Sequence, residues 1–83
     1  ADSFIAFPGG IGTLDEITDL LCAKSLNSPL VADKPMVFYN YMDFWTPFLE
    51  SLEFMVQARM ISTPLDQMYQ VFERSEDVIG YLK

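Results

Sequence analysis

The feature that most constrains this fold is an apolar run that stops at a glycine-rich turn and resumes with helical spacing. The run covers residues 4–7 and ends at the Pro-Gly-Gly of residues 8–10. Short continuous apolar runs are typical of buried strands, whereas intervals of three and four share one helix face. Beyond the turn, such intervals separate Leu14, Ile17, Leu20 and Leu21. The sequence therefore predicts a strand, a tight turn and a helix.

The same alternation continues to the end of the chain. A second apolar run at residues 36–39 predicts a buried strand, and helical spacing through residues 48–59 predicts a second helix. Residues 68–72 predict a short third strand, and residues 75–82 a final helix. The order β-α-β-α-β-α favours an α/β fold, in which helices pack on the faces of a parallel sheet.

Three strands make a thin sheet, in which both outer strands carry unpaired backbone groups. We therefore expect residues 1–83 to be the C-terminal half of a longer doubly wound domain. An N-terminal half would supply the other strands. In such domains ligands bind beyond the carboxyl ends of the strands, which is where the glycine turn would lie.

Composition excludes several classes of function. Five Lys and Arg stand against twelve Asp and Glu, for a net charge of −7, whereas nucleic-acid binding draws on clustered cations. No apolar stretch approaches the ~20 residues of a membrane span, and the first residues of the sequence do not show a basic stretch followed by an apolar one. We therefore expect a cytoplasmic protein without nucleic-acid or membrane partners, and the single Cys22 fits a reducing compartment.

Histidine is absent, so acid and base chemistry falls mainly to carboxylates, and no metal is expected.

The turn lacks the spacing of the common phosphate loops. A Walker A loop needs a Lys after its last glycine, and here Thr13 follows Gly12. A dinucleotide fingerprint started at Gly10 would place the negative charge of Asp15 at its third glycine. What remains is a helix N-terminus that can bind one phosphate or a carboxylate, with Thr13 as a further donor. Glu16, one turn further on, would then face the sugar of a nucleoside monophosphate.

Two structural explanations of the same residues stay open at this point. Thr13 and Glu16 form a T-x-x-E capping box, in which each side chain accepts a hydrogen bond from a backbone N–H of the other. The glycines of the turn can also serve left-handed backbone conformations. The capping box leaves unexplained why three glycines fall within residues 9–12.

Residues 8–16 resemble the signature P-G-G-x-G-T-x-x-E of the LOG (Lonely Guy) family, and every fixed position of that signature is met. The Asp-Lys-Pro of residues 33–35 and the segment 59–62 are similar to further parts of the family's sequence. The resemblance covers nearly the whole chain. It implies a Rossmann-like three-layer α/β/α fold, of which residues 1–83 form the C-terminal half.

Members of this family are nucleoside 5′-monophosphate phosphoribohydrolases that activate cytokinins, often under the older label lysine decarboxylase-like. The resemblance implies hydrolysis of the N-glycosidic bond of a cytokinin riboside monophosphate or of AMP, giving the free base and ribose 5-phosphate. It implies no cofactor and no metal, and a homodimer. It matches Glu16 to the family's catalytic glutamate. It assigns phosphate and ribose binding to Gly9, Gly10, Ile11, Gly12 and Thr13.

Two further implications concern activity. The family's Arg-Lys pair, on a helix before the strand that opens this chain, would lie before Ala1, so we expect the 83-residue chain alone to be inactive. Some members bind without cleaving, such as molybdenum-cofactor carriers that use a similar turn as an anion cradle. A binding protein of that kind is the alternative function.

The segment after the second predicted strand mixes polar and aromatic residues. Asn40 is the polar residue nearest the strand end. The aromatic stretch 38–45 can stack on a base, although Phe38 and Trp45 fit the core or an interface better, since aromatic residues carry much of the apolar area in small domains. The next helix is expected to be capped by Asp43 or Thr46.

Overall fold

The computed structural model describes residues 3–82, so residues 1, 2 and 83 of the predicted unit lie outside it. Three strands alternate with three helices in the predicted order, which is confirmed. Single 3-10 turns lie at Tyr41–Asp43 and Leu65–Gln67. The strands are β1 (Phe4–Ala6), β2 (Met36–Tyr39) and β3 (Gln70–Phe72), and the helices are α1 (Ile11–Ser25), α2 (Thr46–Gln57) and α3 (Ser75–Leu82).

The strands form one parallel sheet in the order β1-β2-β3, as expected for an α/β fold. Ala6 of β1 lies opposite Phe38 of β2, and Phe38 lies opposite Val71 of β3. β2 is therefore the central strand. β1 and β3 are the outer strands of the part of the chain that the structure describes.

Both faces of β2 are covered. Val37 and Phe38 are neighbours with 0% exposure each, and neighbouring side chains of a strand point to opposite faces. The ring of Phe38 packs in one cluster with residues of α1 and α2. On the other face, Phe72 lies 5.4 Å between ring centroids from Tyr81 of α3. Helices thus lie on both sides of the sheet, in three layers.

A buried lysine holds the connection between α1 and β2. Lys24 is 5% exposed, and its Nζ donates hydrogen bonds to the carbonyl oxygens of Lys34 (2.6 Å) and Val31 (3.3 Å). Burial lowers the pKa of the Lys24 ammonium, and the carboxylate of Asp33 partly opposes that shift. The side chain therefore fixes the path by which the chain enters β2.

Candidate functional site

The glycine turn lies at the carboxyl end of β1 and leads directly into α1. Gly10 is the N-cap residue, in an extended conformation (φ −99°, ψ −155°) and without a side-chain hydrogen bond to the helix. The helix's first backbone bond runs from Leu14 N–H to Gly10 O (3.0 Å). The N–H groups of Ile11, Gly12 and Thr13 therefore have no intrahelical acceptor. They point outward at the positive end of the helix dipole, which suits an anion.

The three glycines of the turn differ in what surrounds them. A Cβ on Gly9 would lie 2.8 Å from the Cβ of Thr13 and closer still to the Thr13 hydroxyl oxygen. A Cβ on Gly10 or Gly12 would have no atom within 4 Å, when the neighbouring residues and the backbone of the same helix are left out. No glycine in residues 3–82 has a positive φ. Left-handed backbone at these glycines, which the sequence left open, is therefore excluded: Gly9 allows a close approach, and Gly10 and Gly12 border open space.

The predicted capping box is also wrong. A capping box requires its threonine at the N-cap, but α1 begins at Ile11 and Thr13 is already the third helical residue. Because Gly10 is extended, the chain enters the helix three residues earlier than the box assumes. The side chain of Thr13 packs instead against Gly9. Glu16 is left without a capping role.

Glu16 lies one helical turn beyond Thr13, and its residue is exposed. It lines a groove of about 360 Å³ along β1, together with residues 3–6, Ile17, Leu20 and Met36. The structure thus brings Gly9 to Thr13 together in the turn. It places Glu16 on the same helix but in a groove that the turn residues do not line.

Asn40 has a structural role at the end of β2. It is 5% exposed; its Oδ1 accepts a hydrogen bond from the N–H of Trp45 (2.7 Å), and its Nδ2 donates to Oγ1 of Thr46 (3.0 Å). Thr46 is the first residue of α2, whose N-cap is Trp45, so the predicted cap at Asp43 or Thr46 is wrong. The hydroxyl of Thr46 is used within the loop, where it donates to Oδ1 of Asp43 (3.1 Å). Phe38 and Trp45, at 0% and 3% exposure, are confirmed as core residues.

A second cavity, of about 190 Å³, lies at the amino ends of β2 and β3, where Lys24, Lys34, Asp66 and Tyr69 are among its lining residues. It is at the opposite end of the strands from the glycine turn. Within residues 3–82 no group of three His, Cys, Asp or Glu side chains is placed to hold a metal ion. Over the same residues, each helix falls short of the length and hydropathy that a bilayer crossing demands.

Comparison with known proteins gives consistent matches. A family model described as "Possible lysine decarboxylase" matches residues 1–82. The cytokinin riboside 5′-monophosphate phosphoribohydrolase LOG of Oryza sativa subsp. japonica is 36% identical over 62 residues, which are 75% of this chain and 24% of that protein. LOG4 of Arabidopsis thaliana, of the same description, is 32% identical over 68 residues, or 82% of this chain and 30% of that protein. The chain therefore matches less than a third of the length of these curated relatives.

Proposed function

Because the chain belongs to the LOG family of possible lysine decarboxylases, we propose that it is part of a nucleoside 5′-monophosphate phosphoribohydrolase. The enzyme hydrolyses the N-glycosidic bond of a cytokinin riboside monophosphate or of AMP. Water adds to the anomeric carbon of the ribose, and the base leaves with a proton. The products are the free base and ribose 5-phosphate.

The observation that carries the proposal is the open space around Gly10 and Gly12. The fold needs Gly9, but nothing in the described chain requires the other two positions to lack a side chain. Glycine there leaves the N–H groups of Ile11, Gly12 and Thr13 accessible to a phosphate, with the Thr13 hydroxyl as a further donor.

Glu16 is the proposed catalytic residue. Cleavage of an N-glycosidic bond develops positive charge on the ribose, and a nearby carboxylate stabilises that charge, orients the sugar hydroxyls or activates water. The exposed position of Glu16, one turn beyond the proposed phosphate site, supports this role.

We further propose that residues 1–83 are the C-terminal half of a single Rossmann-like domain in a cytoplasmic homodimer. The support is β1, an outer strand whose Ile5 is 38% exposed and which borders the groove lined by Glu16. An N-terminal half covers this edge and supplies the family's arginine, so the 83-residue chain alone is inactive.

The family's older description, lysine decarboxylase, does not fit the lysines of the described chain. Decarboxylation of an amino acid commonly uses pyridoxal phosphate bound to a lysine as a Schiff base. The Nζ of Lys24 is buried and donates to two carbonyl oxygens. Lys34 lines the cavity at the amino ends of the strands, away from the glycine turn. Neither lysine lies at the glycine turn.

The test is release of adenine from AMP by the complete gene product that contains this chain, measured by chromatography. Glu16→Gln keeps the size of the side chain but removes the charge, and we expect turnover to fall by about 10²- to 10³-fold with AMP binding retained. Asp19→Asn, which removes another exposed carboxylate of α1, should leave turnover unchanged. Binding of AMP without release by the wild type would instead support a carrier protein.

A further inference from the structure

Two exposed aromatic residues stand beside the glycine turn without a role in the proposed chemistry. Phe7 directly precedes the turn and is 57% exposed, and Tyr41 follows β2 and is 52% exposed. Tyr39, the half-buried last residue of β2, lies between them. Its ring centroid is 6.0 Å from that of Phe7, with the planes at 87°, and 5.9 Å from that of Tyr41, at 45°. We call Phe7, Tyr39 and Tyr41 the aromatic row.

The register places Tyr39, and with it Phe7, on one face of the sheet. Ile5 lies opposite Val37, and Tyr39 follows Val37 by two residues, so these side chains share a face. Phe7 follows Ile5 by two residues and contacts Tyr39 on that face. α3 packs against the same face at β3, through Phe72. At β1 the face is open in the described chain, which explains why Phe7 and Ile5 are exposed.

The loop that presents Tyr41 is held in one conformation. Met42 and Asp43 both have left-handed backbones (φ 52° and 60°), although neither is a glycine. Such conformations persist where the surroundings impose them. Here Asn40 supplies the restraint, since its side chain hydrogen-bonds to the first residues beyond the loop. The hydrogen bonds of Asn40 therefore restrain the backbone on both sides of this loop, and the ring of Tyr41 contacts Tyr39.

We propose that Phe7 and Tyr41 bind the base of the nucleotide by stacking, with Tyr39 supporting both rings. This inference rests on the proposed function, which places the phosphate at the N-terminus of α1. Only Pro8 separates Phe7 from the glycines, and its exposed ring is therefore available to a ligand anchored at the turn. Aromatic rings stack on the face of any base.

The experiment compares two ligands that differ only by the base. AMP and ribose 5-phosphate are titrated calorimetrically into the complete gene product and its Phe7→Leu and Tyr41→Leu variants, all carrying Glu16→Gln so that AMP is not consumed during the titration. We expect each variant to bind AMP about 5- to 100-fold more weakly, because base stacking on one ring contributes that much. Affinity for ribose 5-phosphate should not change. Tyr41→Phe keeps the ring and should bind AMP as the wild type does.

Phe54→Leu is the matched control, because Phe54 is 69% exposed on α2 and outside the aromatic row. It should affect neither ligand. Equal losses for AMP and ribose 5-phosphate in the Phe7 and Tyr41 variants would overturn the inference, as would undiminished AMP binding. Undiminished AMP binding would mean that the base lies away from the aromatic row. Under either outcome the proposed function stands, because both ligands still bind to the wild type. If the wild type binds neither ligand, the proposed function fails together with the inference.

Discussion

The three glycines of the turn have different surroundings: Gly9 packs closely against Thr13, whereas Gly10 and Gly12 border open space. From the sequence, left-handed backbone at these glycines remained one of two open structural explanations, because the letter G does not reveal φ. A capping box starting at Thr13 was the other, since a T-x-x-E pattern looks the same wherever the chain enters the helix. The structure decides both points: no glycine of residues 3–82 has a positive φ, and α1 begins at Ile11 with Gly10 as its N-cap.

These surroundings predict opposite effects for alanine at equivalent glycines. Gly9→Ala should lower the free energy of unfolding by about 1–3 kcal/mol, because its methyl overlaps Thr13. Gly12→Ala and Gly80→Ala, both helical with open space around them, should raise it by about 0.5–1 kcal/mol. Urea denaturation measures all three.

Gly12→Ala and Gly80→Ala should differ in their effect on ligand binding. Gly12→Ala should weaken binding of ribose 5-phosphate, because its methyl group lies among the proposed donor N–H groups, whereas Gly80→Ala should not. Gly80 lies in α3, and its variant controls for the gain in helix stability. Unchanged ribose 5-phosphate binding by Gly12→Ala would argue that the phosphate lies elsewhere.

At the scale of elements, the junction between β2 and α2 shows what a residue pattern leaves open. The bounds of β2 were predicted correctly from its continuous apolar run, Met36–Tyr39. The cap of α2 was not, because Thr46 uses its hydroxyl within the loop while Asn40, five residues before Trp45, accepts from the Trp45 N–H. A partner at that separation depends on how the loop folds back, and local sequence does not specify it.

Asn40→Ala should lower the free energy of unfolding by about 1–3 kcal/mol, because the buried N–H of Trp45 loses its acceptor. Ser51→Ala, which removes an exposed hydrogen bond to the Pro47 carbonyl, is the control and should change stability by less than about 0.5 kcal/mol. Chemical denaturation distinguishes the two. Equal effects would mean that the Asn40 side chain does not hold the loop.

For the whole molecule, the order of strands and helices was predictable because each run has a clear period and each connection suits a parallel sheet. The assignment of helices to the two faces follows only from the register, in which Phe72 lies opposite Tyr39. The uncovered face at β1 was not foreseen, and neither was Phe7 in the proposed base site. A single aromatic residue before Pro-Gly-Gly was the available signal.

The stability of the whole molecule at alkaline pH should depend on Tyr69. Burial, and secondarily the negative charge of Glu53, raise the pKa of the Tyr69 hydroxyl above its ordinary value. Above about pH 10 the unfolded chain releases this proton first, so stability falls with pH until the folded state also ionises. Tyr69→Phe keeps the ring that packs on Phe38 and lacks this proton.

We therefore expect Tyr69→Phe to lose less stability than the wild type between about pH 8 and about pH 11, as measured by urea denaturation. The lowered pKa of Lys24 acts in the opposite direction, but it is common to both proteins and cancels in the comparison. Parallel pH profiles for the two proteins would show that Tyr69 does not govern the alkaline loss.

The contact between Gly9 and Thr13 also restricts how this turn can evolve. A side chain at position 9 collides with the Cβ of residue 13 as well as with its hydroxyl, so even alanine at position 13 would not make room for it. A larger residue at position 9 therefore requires the backbone of the turn to shift, at a cost in stability. Selection for a stable fold is thus enough to retain glycine at position 9, whatever the turn binds.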